Sequence, residues 1–166
     1  MPRPFVPWPH PALKTVSTPV EAVDDAVRDL WDEMLAAMYA MPGVGLAANQ
    51  LGVTRRLAVV DCSEAGDRPV RLANPQILAA SAEMRAHVEA SPNLPGVSAE
   101  VLRPAEVRVR FLGASGEIEE QAFEGLWATS VQHQIDHLDG KLYIDRLKPL
   151  KRRMLLKRHA KLRQRG

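Results

Sequence analysis

The sequence predicts an α+β fold, with strands first and helices at the ends, the last of them basic. Three observations carry this. A periodic apolar stripe precedes the middle of the chain, short runs of β-branched or alternating residues fill that middle, and a long helical stretch bearing two histidines follows. The 166 residues give enough chain for one domain spanning 1–166, and too little for two comfortable ones.

Residues 1–11 hold five prolines, which predicts an extended arm rather than a regular element. A first helix is expected from about Asp24, with Asp24 or Asp25 as cap and Val27, Leu30, Trp31, Met34 and Met38 along one face. Pro42-Gly43 ends it. Thr18-Pro19-Val20-Glu21 also reads as a capping box, which offers an alternative start a turn earlier. Leu57–Val60, Val107–Leu112 and Ile118–Phe123 read as strands, the last two joined by a turn over Gly113–Gly116. A second helix is predicted over Leu126–Leu138, with Gly140 suited to its C-terminal cap. Pro149 opens a third helix, on which Leu147, Leu150 and Met154 form the expected inward stripe.

Composition narrows the function classes. Apolar residues make up 46% and charged residues 25%, as in ordinary globular proteins, and no run approaches the ~18 apolar residues of a membrane helix. The start, Met1-Pro2-Arg3-Pro4-Phe5, lacks the apolar run of a secretory signal. The single cysteine, Cys62, excludes an internal disulfide and fits a reducing compartment, so a cytoplasmic location without membrane attachment is expected. The net charge of +2 hides an asymmetry: from Arg146 onward there are ten basic residues and no acidic one, so the rest of the chain is net acidic. Such a tail over 148–166 reads either as a solvated helix face or as a contact for a polyanion.

The chemistry lies in Gln132-His133-Gln134-Ile135-Asp136-His137-Leu138-Asp139-Gly140. Histidines four apart on a helix share a face, the arrangement that grips zinc or iron with two imidazoles. A bare pair of this kind also occurs on half-buried helices with no metal. In the usual hydrolase pattern the residue after the first histidine is a glutamate acting as general base; here it is Gln134.

Two further segments narrow the reading. Gly43-Val44-Gly45-Leu46-Ala47-Ala48-Asn49-Gln50 resembles the first signature of the peptide deformylase family, and the histidine segment through Leu147 resembles the third. The resemblance runs from about Pro7 to Leu162. It implies that family's fold, antiparallel β-sheets around a central helix bearing His133 and His137, with the first signature walling a cleft. It also implies its activity, metal-dependent removal of the formyl group from formyl-methionyl nascent peptides, with iron, nickel or zinc as the metal. The second signature, Glu-Gly-Cys-Leu-Ser followed by an apolar residue, Pro and usually Gly, aligns with Glu89-Ala90-Ser91-Pro92-Asn93-Leu94-Pro95-Gly96. Its ends match and its interior does not.

Carried over residue by residue, the metal ligands are His133, His137 and Ser91, the last replacing a cysteine. A serine hydroxyl is a poor ligand beside a thiolate, so the metal is expected to be weakly bound or absent. The oxyanion donors are the Gln50 amide and the backbone N–H at position 92, which Pro92 lacks. Gln134 stands where the base should be. Val44, Gly45, Leu126, Thr129 and Ser130 are expected to line the substrate pocket; hydroxyls at 129 and 130 replace the family's apolar groups and weaken the case for methionine. The remaining candidates read as structural: Cys62 as a small core residue, His87 as a strand residue near the second signature, and Asp136 as an ion-pair partner.

Three functions follow. The leading one is a degenerate deformylase-like protein with catalysis lost or severely impaired. The alternatives are a working hydrolase with a rearranged site or altered substrate, and a non-catalytic factor that binds nascent peptides, or the ribosome through its tail. The ribosomal contact follows from the docking of a C-terminal helix by bacterial deformylases.

Overall fold

The computed structural model describes residues 3–165. The outermost residues of the predicted arm and tail, 1–2 and 166, lie outside that range. Helix α1 spans Asp25–Ala40 and α2 spans Gly125–Leu138, while α3 runs over Pro149–Arg165. Seven strands lie between and around them: β1 Gly45–Ala47, β2 Leu57–Val60, β3 Val70–Ala80, β4 Met84–Glu89, β5 Ala99–Pro104, β6 Glu106–Leu112 and β7 Ile118–Glu124. They form a five-stranded antiparallel sheet of order β1-β2-β3-β6-β7 and a separate antiparallel pair, β4-β5.

Strand β2 shows why the sheet sits between two helices. All four of its residues are buried, because successive side chains face opposite sides. Leu57 and Val59 join Val27, Trp31, Met34 and Met38 of α1, whereas Ala58 and Val60 join Ala128, Val131 and Ile135 of α2. Each large side chain fully buried this way contributes roughly 1.5–3 kcal/mol. A third cluster, including Leu94, Val101, Tyr143 and Ile144, fills the space under β4-β5.

Asp24 caps α1, its carboxylate accepting a 2.9 Å hydrogen bond from the Val27 N–H. The alternative start at Thr18–Glu21 is not used: Thr18 instead pairs with Arg55 in an isolated β-bridge. At the end of α2, Gly140 adopts φ 76° and packs against the Lys14 carbonyl, where an added Cβ would come within 2.6 Å of the oxygen.

Strands β1 and β5 are not among the strands the sequence predicts, and two further elements depart from its expectation. Strand β3 was hidden because Asn74 (φ 50°), Pro75 and two register shifts against β6 erase any alternation. The inward stripe of α3 is not the predicted one. Leu150 and Met154 are 62% and 63% exposed, and Leu155, Leu156 and the buried His159 face the core instead. Leu147 packs inward as expected, but from the turn before the helix, whose rotation is then set by a contact between His159 Nδ1 and the Pro95 carbonyl at 3.1 Å.

Candidate active site

A cleft of about 380 Å³ opens between α2, β1 and the loop after β4. The face of α2 that lines it carries Leu126, Thr129, Ser130, His133 and Gln134, the helical spacing that puts residues on one side. Strand β1 approaches this face so closely that a Cβ on Gly45 would collide with the Gln134 amide and the Ser130 hydroxyl. Ser130 Oγ fastens the two elements by donating to the Val44 carbonyl at 3.0 Å. Val44, Gly45, Gln50 and Ser91 line the same cleft, as the sequence predicts.

His133 lines its floor and meets the fully buried His137 behind it, their Nε2 atoms 3.1 Å apart. Glu89 orients His133. It receives Arg103 Nε at 2.6 Å and Nη2 at 2.9 Å, and its Oε1 lies 2.7 Å from His133 Nδ1. Burial works to raise the Glu89 pKa, but the hydrogen bonds from His133 and Arg103 outweigh it and hold it below the ordinary value. An ionised carboxylate only accepts, so His133 Nδ1 carries a hydrogen. His137 Nδ1 is buried without a partner. Complete burial, followed by the neighbouring His133, pushes the His137 pKa well below its usual value and favours its neutral form.

The support continues outward. Arg103, 1% exposed, also donates to Asp136 at 2.8 Å, and Arg146 grips the same carboxylate with bonds of 2.6 and 2.8 Å. The Asp136 pKa is lowered, burial being outweighed by these two guanidinium groups. Asp136 is thus the structural ion-pair partner its position between the histidines predicts.

The loop after β4 is organised around Asn93. Its Oδ1 accepts from Gln50 Nε2 at 2.8 Å and from Ser91 Oγ at 3.1 Å, while its Nδ2 donates to the carbonyls of Val6 at 2.7 Å and Gln50 at 2.9 Å. All four hydrogen-bonding positions of the amide are filled. Gln50 Oε1 is likewise held, by the Ala47 N–H at 2.9 Å. The Pro-rich arm is therefore stitched to the cleft loop through Val6 and Trp8, whose N–H donates to the Asn93 carbonyl at 2.8 Å.

The same residues set what donors the cleft offers a metal. Two imidazole nitrogens at 3.1 Å can share one ion, but a third protein ligand is missing. The Ser91 hydroxyl donates to Asn93 and accepts contacts from the Asn93 N–H at 3.3 Å and Gln50 Nε2 at 3.4 Å, so it is a neutral, engaged group. Among the described residues, no three or more His, Cys, Asp or Glu side chains converge on one point. The donor set does not fit the thiolate-and-two-imidazole site that the family's chemistry requires.

The other candidates fall into place. Cys62 is half-buried beside the second core cluster rather than fully within it, with burial pushing its thiol pKa to about 11. His87 is more than a strand residue near the loop, because it lines the cleft with Nδ1 buried and unpartnered. Sequence reasoning missed Asn93, Arg103 and Arg146. For Asn93 a signal existed, since it replaces the serine of the second signature two residues from the replaced cysteine.

Comparison with known proteins agrees with this fold. A profile of the family described as polypeptide deformylase matches residues 2–153. A peptide deformylase of Phenylobacterium zucineum is 48% identical over 158 residues, covering 92% of this chain and 94% of that protein. One from Mesorhizobium japonicum is 44% identical, covering 96% and 92%. Among solved structures, a peptide deformylase from Legionella pneumophila superposes with a TM-score of 0.90 at 36% identity, covering 98% of this chain and 95% of that one. A Synechococcus elongatus peptide deformylase in complex with actinonin gives 0.89 at 31% identity, covering 96% and 86%. With its three helices, its antiparallel sheets and its histidine-bearing central helix, this chain belongs to the polypeptide deformylase family.

Proposed function

We propose that this protein engages N-terminal peptide ends in a deformylase cleft but lacks efficient deformylation. The observation that carries this is convergence: Ser91, Pro92 and Gln134, replaced separately in the sequence, line one cleft together with His133, which meets His137 behind it. Each removes a different part of the chemistry. The hydroxyl at 91 cannot supply a thiolate's charge and is engaged with Asn93. Proline at 92 has no N–H to place against a developing oxyanion, a loss of about 10²–10³ in turnover, and Asn93 holds the Gln50 amide that would share the task. Gln134 has no carboxylate to take a proton from water and deliver it to the leaving amine, a further factor of roughly 10²–10⁴. What remains is a cleft with backbone and side-chain contacts for a peptide, which supports binding over turnover. The test is hydrolysis of a formyl-Met-Ala-Ser peptide by the purified protein. A rate that the protein's own Gln134→Ala variant loses would instead favour a hydrolase with a rearranged site.

A second reading concerns α3. Its outward face combines Lys and Arg residues with the exposed Leu150 and Met154, which suits a contact with ribosomal RNA and its proteins better than simple solvation. Co-sedimentation with ribosomes that falls steeply with salt, and disappears on truncation after Leu147, is the expected result. Equal co-sedimentation of the truncated protein would return α3 to a solvated helix.

A further inference from the structure

We infer that α3 is a clasp on the loop after β4, so that RNA held on its outer face orders one wall of the cleft. The inference rests on the reading of α3 as an RNA contact. Residues 90–98 join β4 to β5, and Ala90, Ser91 and Pro92 of this loop line the cleft. The loop does little to hold its own shape. Pro92 and Pro95 have no N–H to give, and it closes on itself through the Leu94 N–H on the Ser91 carbonyl at 3.0 Å. Its other carbonyls are held from outside. Asn93 accepts from the Trp8 N–H at 2.8 Å, Pro95 meets His159 Nδ1 at 3.1 Å, and Val97 meets the Tyr143 hydroxyl at 3.4 Å.

Helix α3 supplies two of these anchors. A carbonyl oxygen only accepts, so the buried His159 donates from Nδ1 to Pro95. Beside it Leu162 packs on Gly96, where an added Cβ would lie 2.9 Å from Leu162 Cδ1. The second anchor runs through the arm: Arg163 Nη1 donates to the Trp8 carbonyl at 3.0 Å, and the Trp8 N–H holds Asn93 in turn. His159, Leu162 and Arg163 are three and four residues apart and share one face of the helix with Leu155 and Leu156. The opposite face carries Leu150, Met154, Lys157 and Lys161, all exposed. A partner on that outer face leaves both anchors in place.

The clasp is weakly seated. Of the residues of α3 only His159 is buried. Like charges stand four apart at Arg153 and Lys157, Lys157 and Lys161, and Lys161 and Arg165, an arrangement that destabilises a helix. Lys151 adds a cation to the first turn, where the helix dipole opposes it. Such a helix belongs to the least stable part of a fold, and the loop it holds opens with it. The phosphates of an RNA backbone neutralise the repelling charges and keep the helix formed. A formed helix keeps Pro95 and Trp8 fixed, and through them the wall at Ser91 and Pro92. The coupling is reciprocal: an ordered loop raises RNA affinity by the same factor.

Hydrogen exchange over residues 88–97, read by mass spectrometry on the full chain with and without a short RNA duplex, tests this. Saturating duplex should slow exchange at Asn93 and Leu94 by about three- to ten-fold. Without RNA, Arg163→Met, an exposed position whose fold is checked by circular dichroism, should speed the same exchange by a similar factor. Arg163→Lys, which keeps a donor, should stay closer to the unmodified protein. Duplex that binds by fluorescence anisotropy yet leaves loop exchange unchanged overturns the inference and leaves the RNA contact standing. Unchanged exchange in Arg163→Met overturns the clasp itself. Failure of the duplex to bind overturns the RNA contact and the coupling together.

Discussion

The floor of the cleft and its mouth differ in what they keep of deformylase chemistry. At the floor, the buried Glu89, Arg103 and Asp136, closed at the surface by Arg146, form a continuous chain of charge-assisted hydrogen bonds that orients His133. At the mouth, Ser91, Pro92 and Gln134 stand where the family signatures carry a cysteine, a leucine and a glutamate, and Asn93 ties the nearby Gln50 amide into a closed loop. Positioning the imidazoles is a folding problem, because the network joins β4, β5, α2 and the turn before α3, and breaking it would leave buried charge uncompensated. Supplying the chemistry is a local matter of a few side chains. The two can therefore part: a scaffold that still aims two histidines need not retain anything for them to act with.

Restoration of the mouth should give the largest effect. Ser91→Cys or Gln134→Glu alone gains little, since a ligand without a base and a base without activated water are both idle. The combination Ser91→Cys/Pro92→Leu/Gln134→Glu should raise deformylation of formyl-methionyl peptides by orders of magnitude, mainly in turnover at high substrate. Adding Asn93→Ser frees the Gln50 amide and should raise turnover by a further factor of about ten or more. A combined variant that binds metal yet stays inert would show that the cleft has diverged beyond its mouth.

Stability should show the reverse pattern. Arg103→Met leaves Glu89 and part of Asp136 without their cation and is expected to destabilise the fold by about 3–5 kcal/mol. Pro92→Leu should change stability by no more than about 1 kcal/mol, because the residue is half-buried and makes no ladder contact. Urea unfolding of the two variants measures both; equal losses would erase the distinction between floor and mouth.

Acid should act on the floor in two stages. His137 is kept neutral, with its folded pKa below the unfolded one, so its contribution is complete above about 6.5 and declines as pH falls through lower values. Glu89 and Asp136 have lowered folded pKa values as well. Their contribution is present above the ordinary carboxylate range of about 4 and is lost as pH falls through the depressed values. Denaturation midpoints should therefore fall modestly between pH 7 and 5 and steeply below pH 4. In Arg103→Met the steep fall should shrink, since that guanidinium adds to the His133 and Arg146 hydrogen bonds that lower the Glu89 and Asp136 values.

Much of this was legible in the sequence, and the exceptions share a cause. The α1 stripe, the Asp24 cap, β2 and the histidine helix are local patterns of three- to four-residue or two-residue period, and each is found where expected. The cleft walls followed from aligned signatures. Arg103 was not legible, because its partners lie 14 and 33 residues away and nothing near it in the chain announces them. Strand β3 was masked by Pro75 and its bulges. The rotation of α3 was misjudged because a helix this basic has no clear apolar face, and distant contacts at Pro95 and Trp8 fix it instead.

The central claim, that the histidines are still aimed but no longer equipped, is tested most directly by metal analysis of the unmodified protein purified without chelator. Well below one equivalent of iron, nickel or zinc after dialysis is the expected result, together with no measurable deformylation. Stoichiometric metal that survives dialysis and disappears in His133→Ala would contradict it, because the site would then have found a third ligand in place of the missing thiolate.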